Sequence, residues 1–182
     1  MIKLKTGFYC RICRQRHSTL PLSFSCKAPL AVTAIPTRQV DSRVVITPEQ
    51  CVIDDRHFFL RGRIVVPIRG CDKPFVWGVW AQVSAKNFYC SYKGWSTAGR
   101  ENEPPFEGRL ANDLFFFGGP PGLALEVHTQ AVGRRPHFVV SSTSHAIGRE
   151  QREGITLARA EEIAASLLHP TAQSFAPAIF AL

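Results

Sequence analysis

The sequence predicts an α+β domain: a twisted antiparallel sheet, largely a meander, with C-terminal helices on one face and a cysteine-bearing N-terminal knuckle. Three observations predict it. Segments with period-2 alternation follow one another through short turns, which favours antiparallel neighbours over parallel crossovers. A helical stripe of apolar residues is confined to the end of the chain. Cys10-Arg-Ile-Cys13, with His17 four positions on, stands at the start.

A chain of 182 residues fits one domain with a small appendage, and it is long enough to bury a core without disulfide staples. Hydrophobic content of 45% with 20% charged residues excludes a disordered or fibrous chain. Residues 1–40 read as a basic knuckle and loop, 41–169 as the α+β core and 170–182 as a tail. From Leu20 to Pro36 small apolar residues and prolines show little periodicity, which predicts a loop. The body begins near Val44. Its first strand is His57 to Ile68, with Phe58, Leu60, Ile64, Val66 and Ile68 on one face and Arg61 and Arg63 on the other.

The second strand, Phe75 to Val83, is apolar on both faces and is expected to be central. Ser84 is suited to cap a helix over Ala85–Lys93 that Gly94 ends. A short strand follows around Phe106–Leu110. The cleanest alternation comes next, with Leu123, Leu125 and Val127 inward and Glu126, His128 and Gln130 outward. Phe117 to Gly122 has neither the lysine nor the helix of a phosphate-binding loop and reads as a turn. Another strand spans His137–Ser141. Two helices close the core, Ala146–Glu153 ended by Gly154, then Leu157 to about His169 capped by Thr156. The tail carries two prolines and no polar helical face, and is expected to pack loosely or on a protein partner.

Net charge is +8, and no acid occurs before Asp41. Such a basic start suits a solvated face or an anionic partner such as nucleic acid. No apolar leader core and no membrane-spanning run is visible, so the expectation is a cytoplasmic protein with no membrane attachment. In that reducing compartment six cysteines point to metal binding, catalysis or burial before disulfides.

Two thiolates spaced Cys-x-x-Cys can share one tetrahedral ion through a tight turn. The preferred reading is a structural zinc held by Cys10 and Cys13, with His17 as third ligand and Cys51 as fourth, His57 being the other candidate for that place. The rivals are inert thiols and a redox pair, although the βαβ context of a thioredoxin-like motif is missing. Cys26, Cys71 and Cys90 are expected to be buried as small apolar side chains. A second group, Arg61, Arg63, Glu126, His128 and His137 with His145 nearby, gathers on the wet face if strand order permits, where histidine and carboxylate serve acid–base work or a catalytic metal. Glu150, Gln151 and Arg152 are expected to hold the corner between the last two helices.

These pieces resemble a bacterial family of uncharacterised proteins, the domain of unknown function 2199, from Phe8 to His169. The resemblance is carried by Cys10-Arg-Ile-Cys13 with His17, Leu20-Pro-Leu-Ser-Phe24, Cys51-Val-Ile-Asp54, His57-Phe-Phe-Leu-Arg-Gly-Arg63, Phe75-Val-Trp-Gly-Val-Trp80 and, most distinctively, Arg149-Glu-Gln-Arg-Glu-Gly-Ile-Thr156. The resemblance implies no known activity. The glycine usual in the family after the second cysteine is Arg14 here, and Phe115-Phe-Phe-Gly-Gly replaces the pattern expected after Leu110. The functional expectation is a small zinc-stabilised binding or interaction module without catalysis. Its alternatives are a metal-dependent hydrolase using His128 and Glu126, and a nucleic-acid binder using Arg11, Arg14 and Arg16.

Overall fold

The computed structural model describes residues 7–114, 122–142, 144–169 and 179–181. The chain opens with a small hairpin, β1 (Phe8–Tyr9) and β2 (Arg16–His17), in which Phe8 lies opposite His17 and Tyr9 opposite Arg16. Then come β3 (Ser23–Cys26), two short helices α1 (Leu30–Thr33) and α2 (Thr37–Arg43), β4 (Val44–Ile46), β5 (Gln50–Ile53), β6 (His57–Val66) and β7 (Phe75–Val83). Helix α3 (Ala85–Lys93) separates these from β8 (Phe106–Leu110), β9 (Ala124–His128) and β10 (His137–Val140). Helices α4 (Ala146–Glu153) and α5 (Leu157–Leu168) and the terminal strand β11 (Ile179–Ala181) complete it.

The predicted central strand is central for a concrete reason. One edge of β7 pairs antiparallel with β6 from Phe58↔Val83 to Val66↔Phe75, and the rest of its bonding is shared between β8 and a parallel β3. Trp77 and Trp80, on opposite faces, are both fully buried. Strand β6 likewise bonds β5 and meets β10 in parallel at His137↔Arg63. The order β7-β8-β9-β10-β6, with β6 returning to β7, therefore closes a five-stranded barrel. The α+β class holds. The antiparallel sheet, expected to be largely a meander, is corrected in two places: the parallel pairings β3 with β7 and β10 with β6 join segments far apart in sequence, and the second closes the sheet into a wall while the first adds a strand outside it.

Closure fills the interior with the inward residues of each strand, among them Ile64, Val79, Leu125, Val127 and Phe138, all buried. Gly62 makes room for this, since a Cβ there would run into the Phe138 ring. Burial of these side chains from five strands is the main stabilising term.

The segment expected to be a loop, Leu20 to Pro36, supplies β3 and α1. Ile179–Ala181, within the expected tail, adds β11 antiparallel to β3, with Ile179 opposite Cys26. The Phe115-Phe-Phe-Gly-Gly stretch and most of Pro170–Leu182 lie outside the described residues. Among the described residues no helix is long and apolar enough to cross a membrane.

The most distinctive sequence motif, Arg149 to Thr156, is the joint that aims α5. Gly154 leaves α4 at φ 73°, a region that favours glycine, with its N–H bonded to the Glu150 carbonyl. Ile155 then forms a parallel bridge with Ile68, and Thr156 caps α5 by accepting from the Arg159 N–H at 3.1 Å. Glu150 holds the helix corner as expected, accepting from Arg159 Nε at 3.0 Å. From that fixed start, the 12 residues of α5 run about 18 Å, with Ala160, Ile163 and Ala164 buried beneath it. His169 follows the last turn.

Candidate metal centre

The β1–β2 hairpin has too little core of its own to explain its shape, and its turn does most of the shaping. The Cys10 N–H donates to the Gln15 carbonyl and the Arg14 N–H to the Cys10 carbonyl, each at 2.9 Å. Closing this turn requires Arg14 to adopt φ 58°, the left-handed conformation that glycine takes without strain. Alternation along β1 turns Phe8 and Cys10 inward, both buried, and Tyr9 outward.

Folded this way, the turn surrounds the Cys10 sulfur with donors. Burial opposes its ionisation, yet the backbone N–H groups of Cys13 and Ile12 and the Cys13 side chain hold its pKa below the usual thiol value. Cys13 Sγ lies 3.3 Å from His17 Nε2, and the His17 ring is stacked on Phe8 with centroids 5.1 Å apart. The fourth member arrives from the other end of the chain: His169 Nε2 lies 3.4 Å from His17 Nε2. One ligand atom each from Cys10, Cys13, His17 and His169 all fall within 4.8 Å of one another, close enough to hold a metal ion.

Three of the four sequence-predicted ligands are thus brought together, and Cys51 is not. It sits in β5, opposite Ile46 of β4 and Phe59 of β6, on the arm of the sheet beyond β6, whereas the knuckle stands by α5. Fully buried, its thiol is pushed up to about 11, which keeps it neutral and leaves it a small apolar side chain. His57, the other candidate, faces Gln82 at the far end of β6. Cys26 is buried as expected and pushed up to about 12, but Cys90 is exposed on α3 and Cys71 is half-buried. His169 was missed because a histidine after a helix looks like a polar terminus. The available signal was the direction of the apolar stripe of α5, which carries the residue after its last turn toward whatever covers the helix.

The second predicted group forms in part. Cross-strand register sets His137 opposite both Arg63 and His128. Arg63 Nη2 lies 3.3 Å from His137 Nε2, and His128 Nε2 lies 3.3 Å from Glu126 Oε2. Burial, and then the charges of Arg63, His128 and Arg134, lower the His137 pKa, so its neutral ring can accept from Arg63. Arg61 leaves this group: its guanidinium donates to Ser25 Oγ at 3.1 Å and the Cys26 carbonyl at 3.3 Å, and lies over the Trp80 ring. His145 is the residue before α4 and is not one of the strand residues of this ladder. Among the described residues, the cysteine–histidine group is the only set of such side chains gathered closely enough for a metal.

The family model for uncharacterised proteins conserved in bacteria (DUF2199) matches residues 9–155. Cys10, Cys13 and His17 fall inside that span and His169 beyond it. No curated protein and no solved structure matches the chain.

Proposed function

Since the chain belongs to this uncharacterised bacterial family, its role has to be argued from its own residues, and we propose that it is a small zinc-stabilised binding module in which the ion ties the N-terminal knuckle to the end of α5. The observation that carries this reading is the convergence of Cys10, Cys13, His17 and His169. Two cysteines and two histidines are a common structural zinc set, and four protein ligands leave no open position of the kind a catalytic zinc keeps for water. The spacing also suits the ion. Two nitrogens bound at about 2.05 Å with a tetrahedral angle stand about 3.3 Å apart, and His17 Nε2 and His169 Nε2 are 3.4 Å apart. The donors around Cys10 favour the thiolate that a metal requires.

Such a centre contributes folding energy and no chemistry of its own, which is why we read the protein as a scaffold for binding in the cytoplasm. The test is elemental analysis of protein purified without a metal-affinity tag, beside a Cys10→Ser/Cys13→Ser double variant. About one zinc per chain, lost from the variant together with thermal stability, supports the reading. Metal-free wild-type protein that is as stable as a zinc-supplemented sample overturns it.

A further inference from the structure

The turn that gathers the ligands on its inner side leaves a different surface outside. Tyr9 and Arg16 are directly opposed across β1 and β2, so their side chains project on the same outward face. Tyr9 is 59% exposed and Ile12, at the tip, 46% exposed. Arg11, Arg14 and Arg16 are exposed around them. Residues 7–40 contain no acid, and among the described residues none of these three arginines makes an ion pair. Five side chains of two chemistries, flat or apolar and cationic, thus occupy a hairpin only a few residues long.

A solvated face does not need this combination. An exposed tyrosine ring loses little by being covered, and a guanidinium binds phosphate with a planar fork that lysine lacks. We infer that this outer face of the knuckle binds single-stranded nucleic acid, with Tyr9 stacking a base, Ile12 supporting its edge, and Arg11, Arg14 and Arg16 on the flanking phosphates. Stacking against a π-face with cations along the backbone is the recognition mode that single strands require and duplexes, with their bases stacked inside, cannot offer. The strand runs over the hairpin and not along α5. The groove between them, about 340 Å³ and lined by Tyr9, Arg11 and Ile12 on one side, meets Glu161 and Glu162 on the other, and among the described residues only Glu162 of the two is ion-paired, to Arg159 at 3.0 Å. An acidic peptide would satisfy the arginines but leave Tyr9 without a partner of matching shape.

This inference rests on the metal reading only in that an ion would hold the hairpin in this shape. It is tested by fluorescence anisotropy of the full chain with labelled oligouridylate and oligothymidylate about twelve nucleotides long, the matching duplex, and polyglutamate, with zinc content measured on each sample. Either single strand is expected to bind. Tyr9→Ala should weaken that binding about 5- to 150-fold, the range measured for loss of one stacked base. Each arginine-to-alanine change should lower the salt slope by about 0.7, as expected for one lost contact to a single-strand phosphate. A Lys86→Ala/Lys93→Ala variant, which removes two positive charges from α3, should change neither. Absent binding, equal loss in the α3 variant, or equally tight binding of duplex or polyglutamate would overturn the inference. Zinc-free protein that still binds through Tyr9 would strike the metal reading alone, and zinc-loaded protein that binds nothing would strike this one alone.

Discussion

Gln151 of α4 faces Val140 of β10 as a neighbouring strand would: its Oε1 accepts the Val140 N–H at 2.9 Å, while its Nε2 donates to the Phe138 carbonyl at 2.7 Å. Strand β10 meets β6 only at His137, so its remaining edge would otherwise lack backbone partners where the barrel wall opens. One side-chain amide fills that gap, which gives the glutamine of the Arg149–Thr156 motif a physical reason beyond the helix corner. Removing it strands one buried donor and one acceptor. Gln151→Ala is therefore expected to cost about 2–6 kcal/mol, at about 1–3 kcal/mol for each unsatisfied group. Gln151→Glu should also destabilise, because a carboxylate cannot donate to the Phe138 carbonyl. Urea unfolding midpoints measure both.

His169 and Cys51 make opposite predictions about metal. His169→Ala should lower zinc affinity by at least the ~10–100-fold typical of losing a supporting residue near a metal, and should reduce the melting temperature of the zinc-loaded protein. Cys51→Ala should retain full zinc content, since the residue lies in β5, opposite Ile46 and Phe59 on the arm of the sheet beyond β6. Competition with a chromogenic chelator separates the two variants.

Arg14 holds a glycine's conformation at φ 58°. Arg14→Gly should relieve about 1 kcal/mol of backbone strain, partly offset by the greater freedom of glycine in the unfolded chain. The knuckle should then be more resistant to chelator-induced unfolding, while single-strand binding loses one phosphate contact. Opposite signs in the two assays are the expected outcome.

His137 sets a pH dependence. Burial first, then Arg63, His128 and Arg134, lower its pKa in the folded protein, so below about pH 6.5 the unfolded chain takes up the proton first. The unfolded state then binds more protons, and stability rises with pH through that window. This contribution is fully present above about 6.5 and is lost as pH falls toward the lower, folded value. His137→Gln, which keeps an acceptor for Arg63 without a titrating ring, should flatten this limb of the stability profile measured between pH 5 and 7.

The local part of the fold was legible in the sequence because its causes are local. Alternation from Phe75 to Val83 and the caps Ser84, Gly94, Gly154 and Thr156 placed β7, α3, α4 and α5 within a residue or so. Barrel closure was not legible. The pairing of Phe24 with Trp77 and of Arg63 with His137 is parallel and spans more than fifty residues, and no periodicity within either partner announces it. Strand β3, four residues between prolines, is too short to show alternation and is held by its neighbours on both edges. The candidate site divides in the same way. Three candidate ligands sit within eight residues and could be read from spacing, while the fourth candidate depends on where a helix ends in space.

The distance from His17 to His169 along the chain is 152 positions, and in space their Nε2 atoms are 3.4 Å apart. With zinc bound, the polypeptide becomes a ring closed by coordination bonds, and on a simple cross-link model closing a loop of that size disfavours the unfolded ensemble by about 5 kcal/mol. Tension applied across the two ends would peel β11 and then load the metal–ligand bonds before any strand of the barrel. Under force, the ion and not the hydrophobic interior would set the moment of rupture.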